Sequence, residues 1–504
     1  MTATDSSPRT GSQPTTAAPE LDKPEIDPRG MRVVWLLLIA AFVAILNETT
    51  MSIAIPHLNV DLGVPPELGQ WLTSAFMLTM AVVIPTTGFL LQRLTTRQAF
   101  ILAMSLFTAG TLLCLVAPGF EVLLGGRIVQ AAGTAIVMPL LMTTVMTVVP
   151  AHARGRIMGR VGIVISLAPA IGPTLAGVLL DIANWRWIFG VVLPIAIVAL
   201  AVGAKLMTNL GETRRAPLDI LSVVLSALAF GGLVFGLSQA GGSHGADATA
   251  AMPAGMAIGI IVGSVVVLGL FIWRQLSLQK VDDALLDLRV FTSRNFTFAI
   301  VVMGILSLAM FGTFTALPLY MQDVAQLTAT ESGLVVLPGA VMMGLLGPVI
   351  GRIYDARGAR ILLIPGTALV AAVMIFYATA LTESTSVWAL VIAQIAMSIG
   401  MAMSFTPLFS ASLGSLQPRL YSHGSAVLNT LQQVAGAAGV AVLITTMASV
   451  SASQEAAGVA ELAAGAVGAR AAFLFSAIVA VIAVVAAFFV RKPEDQPEGF
   501  HGGH

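Results

Sequence analysis

The sequence predicts an all-α integral membrane protein of fourteen transmembrane helices, two six-helix bundles with two extra helices inserted between them. Three observations predict it. Of 504 residues, 57% are hydrophobic and only 10% charged, against roughly 25% charged in a soluble domain. Apolar runs meeting the ~20-residue length of a membrane-crossing helix recur along the whole chain. The segments that follow the second and tenth runs also repeat one another. The runs do not alternate polar with apolar, so helices, not barrel strands, satisfy the backbone in lipid.

Taken in order, residues 1–30 are rich in Pro, Ser, Thr and charge and read as a disordered tail. No short apolar core with a small-residue cleavage site follows the charged start, so the tail is not a signal peptide. An N-terminal bundle over 31–210 holds spans at 33–55, 68–91, 99–117, 121–149, 157–181 and 187–207. Two inserted spans, 217–238 and 252–273, lie with their linker in 211–294. A C-terminal bundle over 295–491 holds 295–321, 331–353, 360–380, 385–411, 423–448 and 470–490, and 492–504 is a second polar tail. The linker Leu276–Arg294 mixes acids, bases and leucines. An interfacial helix on the membrane surface and a plain solvated connection both fit it.

The basic residues test this count. With both termini cytoplasmic, all 25 except Arg127, Arg186 and Arg470 fall on inner positions, the bias expected of a multi-pass protein of the cell's inner (plasma) membrane. The net charge of zero hides this sidedness and points to no nucleic-acid partner. Cys114 is the single cysteine, so no internal disulfide forms. His57 is a lone histidine at the outer end of the first span, His152 and His423 are too scattered for a metal site, and no cofactor is expected. Only four lysines exist and none follows glycine, which excludes a phosphate-cradling GxxxxGK[ST] loop and an ATP-driven pump built on one. No span carries paired carboxylates, so a carrier is expected instead of an enzyme.

The repeat is visible when GFLLQRLTTR, residues 88–97, is set against GRIYDARGAR, residues 351–360. Each opens on glycine near a helix end and closes on arginine. Internal repeats of this kind mark secondary transporters, with the site between the halves near the midplane.

Glu48 interrupts the first span. Counted back from Ile55, it lies about 10 Å below the outer boundary, and Arg127, counted from Glu121, about 9 Å below it. A charge at membrane depth costs about 3 kcal/mol even on the lenient insertion scale, and such residues mark pathways. Burial favours a neutral carboxylic acid and a nearby guanidinium favours the carboxylate, so alternating exposure can switch the balance. Glu48 is thus the candidate proton-coupling carboxylate, with Arg127 tuning it or relaying protons. A static Glu48–Arg127 ion pair that only orients two helices is the plainer alternative. Asn47, Gln130, Gln394, Asn429 and Gln432 are candidates for the substrate cavity, although interhelical hydrogen bonding is their commoner use. Met138, with Met142 and Met146, adds a flexible apolar stripe suited to lipophilic ligands or to packing.

Several motifs converge on one family. GRIYDARGAR resembles the loop signature of the major facilitator superfamily, with Gly351, Asp355, Gly358 and Arg360 in place and Arg357 between them; Gly88 and Arg93 are its counterparts in the first half. RIVQAAG, with Arg127, Gln130 and Gly133, is similar to the fourth-span motif of proton-coupled members. APAIGPTLAG, with Pro169, Gly172, Pro173 and Gly177, resembles the antiporter motif, and WRWIF (185–189) the hallmark of the fourteen-span drug:proton antiporter branch. LNETTMSIAIP resembles that branch's first-span motif, in the version similar to lincomycin-resistance exporters. Two positions depart: Asn47 stands where the branch commonly has Asp, with the carboxylate one residue later, and Gln92 replaces the loop Asp of the first half. The resemblance implies the major facilitator fold and a monomeric antiporter exchanging protons for lipophilic or cationic small molecules. It also implies that span 5 is a pivot between halves and that the loops gate the cytoplasmic side. A proton-coupled carrier of one endogenous lipid, siderophore or metabolite is the alternative. A receptor or scaffold that has lost transport is disfavoured by the intact antiporter motif.

Overall fold

The computed structural model describes residues 27–209, 219–242 and 252–491. Among them every regular element is helical, and fourteen helical spans are long and apolar enough to cross a membrane. The disorder expected of the tails falls on residues outside those described, apart from 27–30, where Asp27 caps the first helix and Pro28 opens it.

The first six spans are α1 (Pro28–Leu62), α2 (Pro66–Arg93), α3 (Thr96–Leu115), α4 (Phe120–Val148), α5 (Arg154–Ile182) and α6 (Arg186–Leu206). The seventh is α7 (Ile220–Ser226) and α8 (Gly232–Gly242), joined by a π-helical turn at Ala227–Gly231, and the eighth is α9 (Ala254–Leu278). The last six are α10 (Arg294–Leu319), α11 (Ala329–Arg357), α12 (Arg360–Ala380), α13 (Val387–Gly414), α14 (Tyr421–Ala456) and α15 (Glu461–Ala487). Local chemistry sets many boundaries. Thr95 with Gln98 and Thr328 with Glu331 form capping boxes at α3 and α11, reciprocally satisfying orphan N–H groups. Gly63, at φ +62°, ends α1 in the left-handed region that suits glycine.

Two helices outrun their apolar segments. α1 continues seven residues past Ile55 to Leu62, and α14 runs on to Ala456. Hydropathy marks the part of a helix in lipid, whereas backbone hydrogen bonding carries the helix on into polar sequence. α15 begins at Glu461, nine residues before the expected start of its span at 470. Glu48 lies about 21 Å along α1 from its end at Leu62, near the middle of the helix.

The packing repeats. Contacts of α1 with α5, α2 with α4, and α3 with α4 and α6 have counterparts in α10 with α14, α11 with α13, and α12 with α13 and α15. The halves meet where α5 packs on α11 and α2 on α14. The inserted α7–α9 pack on one another and against α2 and α14, beside that second seam. Arg274 of α9 grips Asp219, the cap of α7, through Nε at 2.7 Å and Nη2 at 2.8 Å. The linker after α9 is neither a regular surface helix nor a plain solvated connection. It makes two short 3-10 turns, Gln279–Val281 and Leu288–Thr292, and tucks Leu285, Leu286 and Val290 into the main apolar core.

Candidate functional site

α1 carries Asn47 and Glu48 into the first bundle. Asn47 is 1% exposed, and neither its Oδ1 nor its Nδ2 has a hydrogen-bond partner. Glu48 keeps part of its surface accessible and makes no hydrogen bond or ion pair among the described residues. Around it, Thr49 Oγ1 donates to Leu46 O at 3.0 Å and Thr50 Oγ1 to Asn47 O at 2.9 Å, back-bonds that bend a helix.

Arg127 is fully buried in α4 but does not reach for Glu48. Its Nη1 donates to Gln130 Oε1 at 2.7 Å, its Nε to Leu72 O at 3.4 Å, and its guanidinium lies 4.1 Å over the Phe76 ring. Gln130 passes the connection on, donating to Thr111 Oγ1 at 2.8 Å, which donates to Phe107 O at 2.7 Å. The static ion pair is therefore absent from this conformation. Arg127 and Glu48 remain within each other's electrostatic reach, and Nη2 of Arg127 is left without a partner. Gln130, expected to line a cavity, is instead committed to the α2–α3–α4 network.

Of the remaining cavity candidates, Gln394 is 1% exposed with Oε1 unpartnered, on a narrow cavity whose apolar wall is Met310, Met343, Met397 and Met401. A second narrow cavity lies between α4, α5, α11 and α13, lined by Met142, Met158, Phe405 and Phe409. Met138 packs against the core and does not line it. Asn429 spends Nδ2 on Ser425 O of its own helix at 2.8 Å, and Gln432 Nε2 lies 3.9 Å from Met303 Sδ.

In α5, Gly172 is packed so closely on α1 that an added Cβ would strike the Thr49 hydroxyl. Gly177 has open space around its Cα and carries no such contact, and Pro169 sits within an unbroken helix. Pro173 lies in the same helix. The closest crossing in α5 lies elsewhere. Gly155 and Gly159 meet Gly351 and Gly347 of α11 backbone to backbone, so a Cβ on any of the four collides with the partner helix. The four-residue spacing in each helix, which lets backbones approach, was legible in GRIMG and GPVIG.

The loop-signature residues meet at the same seam. Asp355 of α11 reaches across to the other half, where its Oδ1 accepts from Gly155 N at 2.7 Å and its Oδ2 from Arg156 N at 2.9 Å. It thereby caps the first turn of α5, where a carboxylate complements the helix dipole. Gly358, at φ +83°, ends α11, and Arg360 Nε donates to Val490 O at 3.3 Å. Arg357 and Arg93 are exposed at the ends of α11 and α2. On α2, Gly88 packs against His423 of α14, and Gln92 Nε2 donates to Arg419 O at 3.0 Å. Both seams are thus closed at the end of the molecule that carries these arginines.

Two pseudo-repeated bundles, sealed at one end and enclosing an unpaired carboxylate, define a membrane transporter. The chain belongs to the Major Facilitator Superfamily, whose pattern it matches over residues 37–440. It is 41% identical over 466 residues to the "Uncharacterized MFS-type transporter YcnB" of Bacillus subtilis (strain 168), covering 92% of this chain and 96% of that one. It is 40% identical over 472 residues to the "Lincomycin resistance protein LmrB" of Listeria monocytogenes serovar 1/2a, covering 92% and 97%. Among solved structures it superposes on the human organic anion transporter MFSD10 (TETRAN) with a TM-score of 0.63 at 16% identity, covering 91% of this chain and all of that one. That last likeness shows the fold alone.

Proposed function

We propose that the protein is an alternating-access antiporter that drives efflux of lipophilic or cationic drugs and antibiotics with the proton-motive force. The observation that carries this reading is Glu48, a carboxylate near the middle of a membrane helix with no ion pair. A charge left unpaired at that depth is costly, and a group that binds and releases a proton on opposite sides gives it a use. The buried, unpartnered carboxamide of Asn47, the preceding residue of α1, supports binding of a polar ligand at a similar depth. Similarity to proteins named for lincomycin and multidrug resistance supports the substrate class. The end rich in arginine faces the cytoplasm of the cell's inner membrane, with both termini there, and the carrier works as a monomer.

Proteoliposomes with a preset pH gradient test the reading. Lipophilic cations and lincomycin-like drugs should dissipate the gradient with wild-type protein and not with Glu48→Gln. Equal responses from both would remove Glu48 from the coupling step. No response to any compound would overturn proton-coupled drug export.

A further inference from the structure

The closest helix crossings align the two halves residue by residue. A Cβ on Gly133 of α4 would press on Ala103 O and Phe107 N of α3, and one on Gly400 of α13 on Gly366 O and Val370 N of α12. Likewise Gly172 of α5 packs on Leu46 O of α1, and Gly439 of α14 on Leu308 O of α10. Gly133 therefore corresponds to Gly400, and Leu46 to Leu308. Six residues before those glycines stand Arg127 and Gln394, and two residues after those leucines stand Glu48 and Met310. The place that holds two charges in the first half holds a neutral carboxamide and a thioether in the second.

The replacement runs through the neighbours as well. Arg127 donates to Gln130, and Gln130 to Thr111. Counted from the same crossings, Gln130 becomes Met397 and Thr111 becomes Met374. Phe76, over whose ring the Arg127 guanidinium lies, becomes Gly339 in the register of the repeated loops, and a Cβ there would lie 2.8 Å from Gln394 O. A filled polar network in one half is thus a cavity in the other. Gln394 is 1% exposed, lines that cavity and leaves its Oε1 without a partner. Met310, Met343, Met397 and Met401 stand around it, and Thr313 spends its hydroxyl on Met374 Sδ at 3.7 Å.

Such a wall specifies its ligand. Thioethers make favourable contacts with aromatic rings, and their unbranched chains shift to admit one. A buried acceptor calls for a donor. No carboxylate lines the cavity, so a cation there would be buried unpaired, at high cost. We propose that the cavity around Gln394 is a substrate subsite for a neutral aromatic group bearing one N–H or O–H donor, which Gln394 Oε1 accepts. It is the repeat counterpart of the Glu48–Arg127 place, so the charge of proton coupling sits in one half and the aromatic part of the substrate is held in the other. The inference rests on the drug-export reading and narrows its substrate class.

Equilibrium binding to full-length protein in lipid nanodiscs, with empty nanodiscs subtracted and no pH gradient imposed, tests the subsite. The probes are carbazole and N-methylcarbazole, neutral fluorescent ring systems that differ by one N–H. Wild type should bind carbazole about fivefold tighter, the worth of one neutral hydrogen bond. Gln394→Leu should bring the two affinities within about twofold of each other, and Met397→Ala should weaken both about threefold while keeping their ratio. Equal affinities in wild type, or no binding of either probe, would overturn the subsite. A preference that survives Gln394→Leu would also overturn it, because the methyl group would then be refused by shape alone. So would affinities unmoved by Met397→Ala. The gradient test of Glu48 stands apart from these outcomes. Gradient dissipation by lipophilic cations with no preference between the carbazoles removes the subsite and leaves drug export standing, whereas the expected preference without any dissipation keeps the subsite and removes proton coupling.

Discussion

At the scale of single residues, the membrane interior holds polar groups with opposite fates. Arg127 is fastened to Gln130, Leu72 and Phe76, and Gln130 onward to Thr111, which ties α4 to α2 and α3. Asn47 is fastened to nothing. An unpartnered buried amide costs about 1–3 kcal/mol, which a fold alone gives no reason to retain. Asn47→Leu should therefore leave thermal stability unchanged or raise it by about 1 kcal/mol while lowering drug transport at least tenfold. A variant that melts earlier and transports normally would make Asn47 a packing residue. Arg127→Ala should displace the pH profile of transport, since it removes a guanidinium within reach of Glu48's field; an unmoved profile would leave Arg127 purely structural. Neither role was fully legible in the sequence. The depth of Glu48 and Arg127 could be counted, but the sequence could not say that Arg127 would turn toward Gln130, three residues along its own helix.

At the scale of helices, the fourteen spans were readable because hydropathy is a local property, as was the repeat of α2 and α11. What escaped depends on partners distant in sequence. The linker at 276–294 buries its leucines in a core built by helices distant in sequence, with Gln275 of α9 holding Leu286 N, and α1 overruns to Leu62 because backbone bonding ignores side-chain polarity. The glycine contacts are intermediate: their spacing was present, but which pair crosses which was not. Gly172→Leu drives a side chain into Thr49 of α1 and should uncouple or abolish transport in protein that still inserts; normal coupled transport would dispose of the pivot. The inserted pair makes a pH prediction. Arg274's guanidinium, bonded to Asp219, holds that carboxyl down to about 2, with Ser222 adding to the effect. A depressed acid stabilises the fold above its unfolded value near 4 and loses that contribution as pH falls toward 2. The melting temperatures of wild type and Arg274→Ala should therefore differ above pH 4 and converge as pH approaches 2. A constant gap across that range would mean that Arg274 stabilises the docking of α7 on α9 without drawing on the charge of Asp219, and no gap at all that the pair contributes nothing.

At the scale of the whole molecule, two closed seams at the basic end set one conformation against its opposite, and the balance between them should be tunable from a single residue. Asp355 supplies two hydrogen bonds from a charged acceptor to backbone N–H groups of the other half, at 2.7 and 2.9 Å. Such bonds contribute about 1.5–3 kcal/mol each. Asp355→Asn keeps the shape but removes the charge and one acceptor, so the closed state should lose about 3 kcal/mol, a shift of roughly 100-fold in the equilibrium. The glycine crossing of α5 on α11 persists in that variant, which is why the seam should loosen without the protein unfolding. Thr406 lies beneath this seam, 3.4 Å from the Cβ position of Gly162 and 6% exposed. A cysteine there should react slowly with a membrane-impermeant thiol reagent applied from the cytoplasmic side of wild-type vesicles. With Asp355→Asn the rate should rise at least tenfold, while reaction from the outer side falls. Equal rates with and without the substitution would show that the cap on α5 does not govern which side of the carrier is open, and the closure would then have to reside in the backbone contacts of Gly155, Gly159, Gly347 and Gly351 alone.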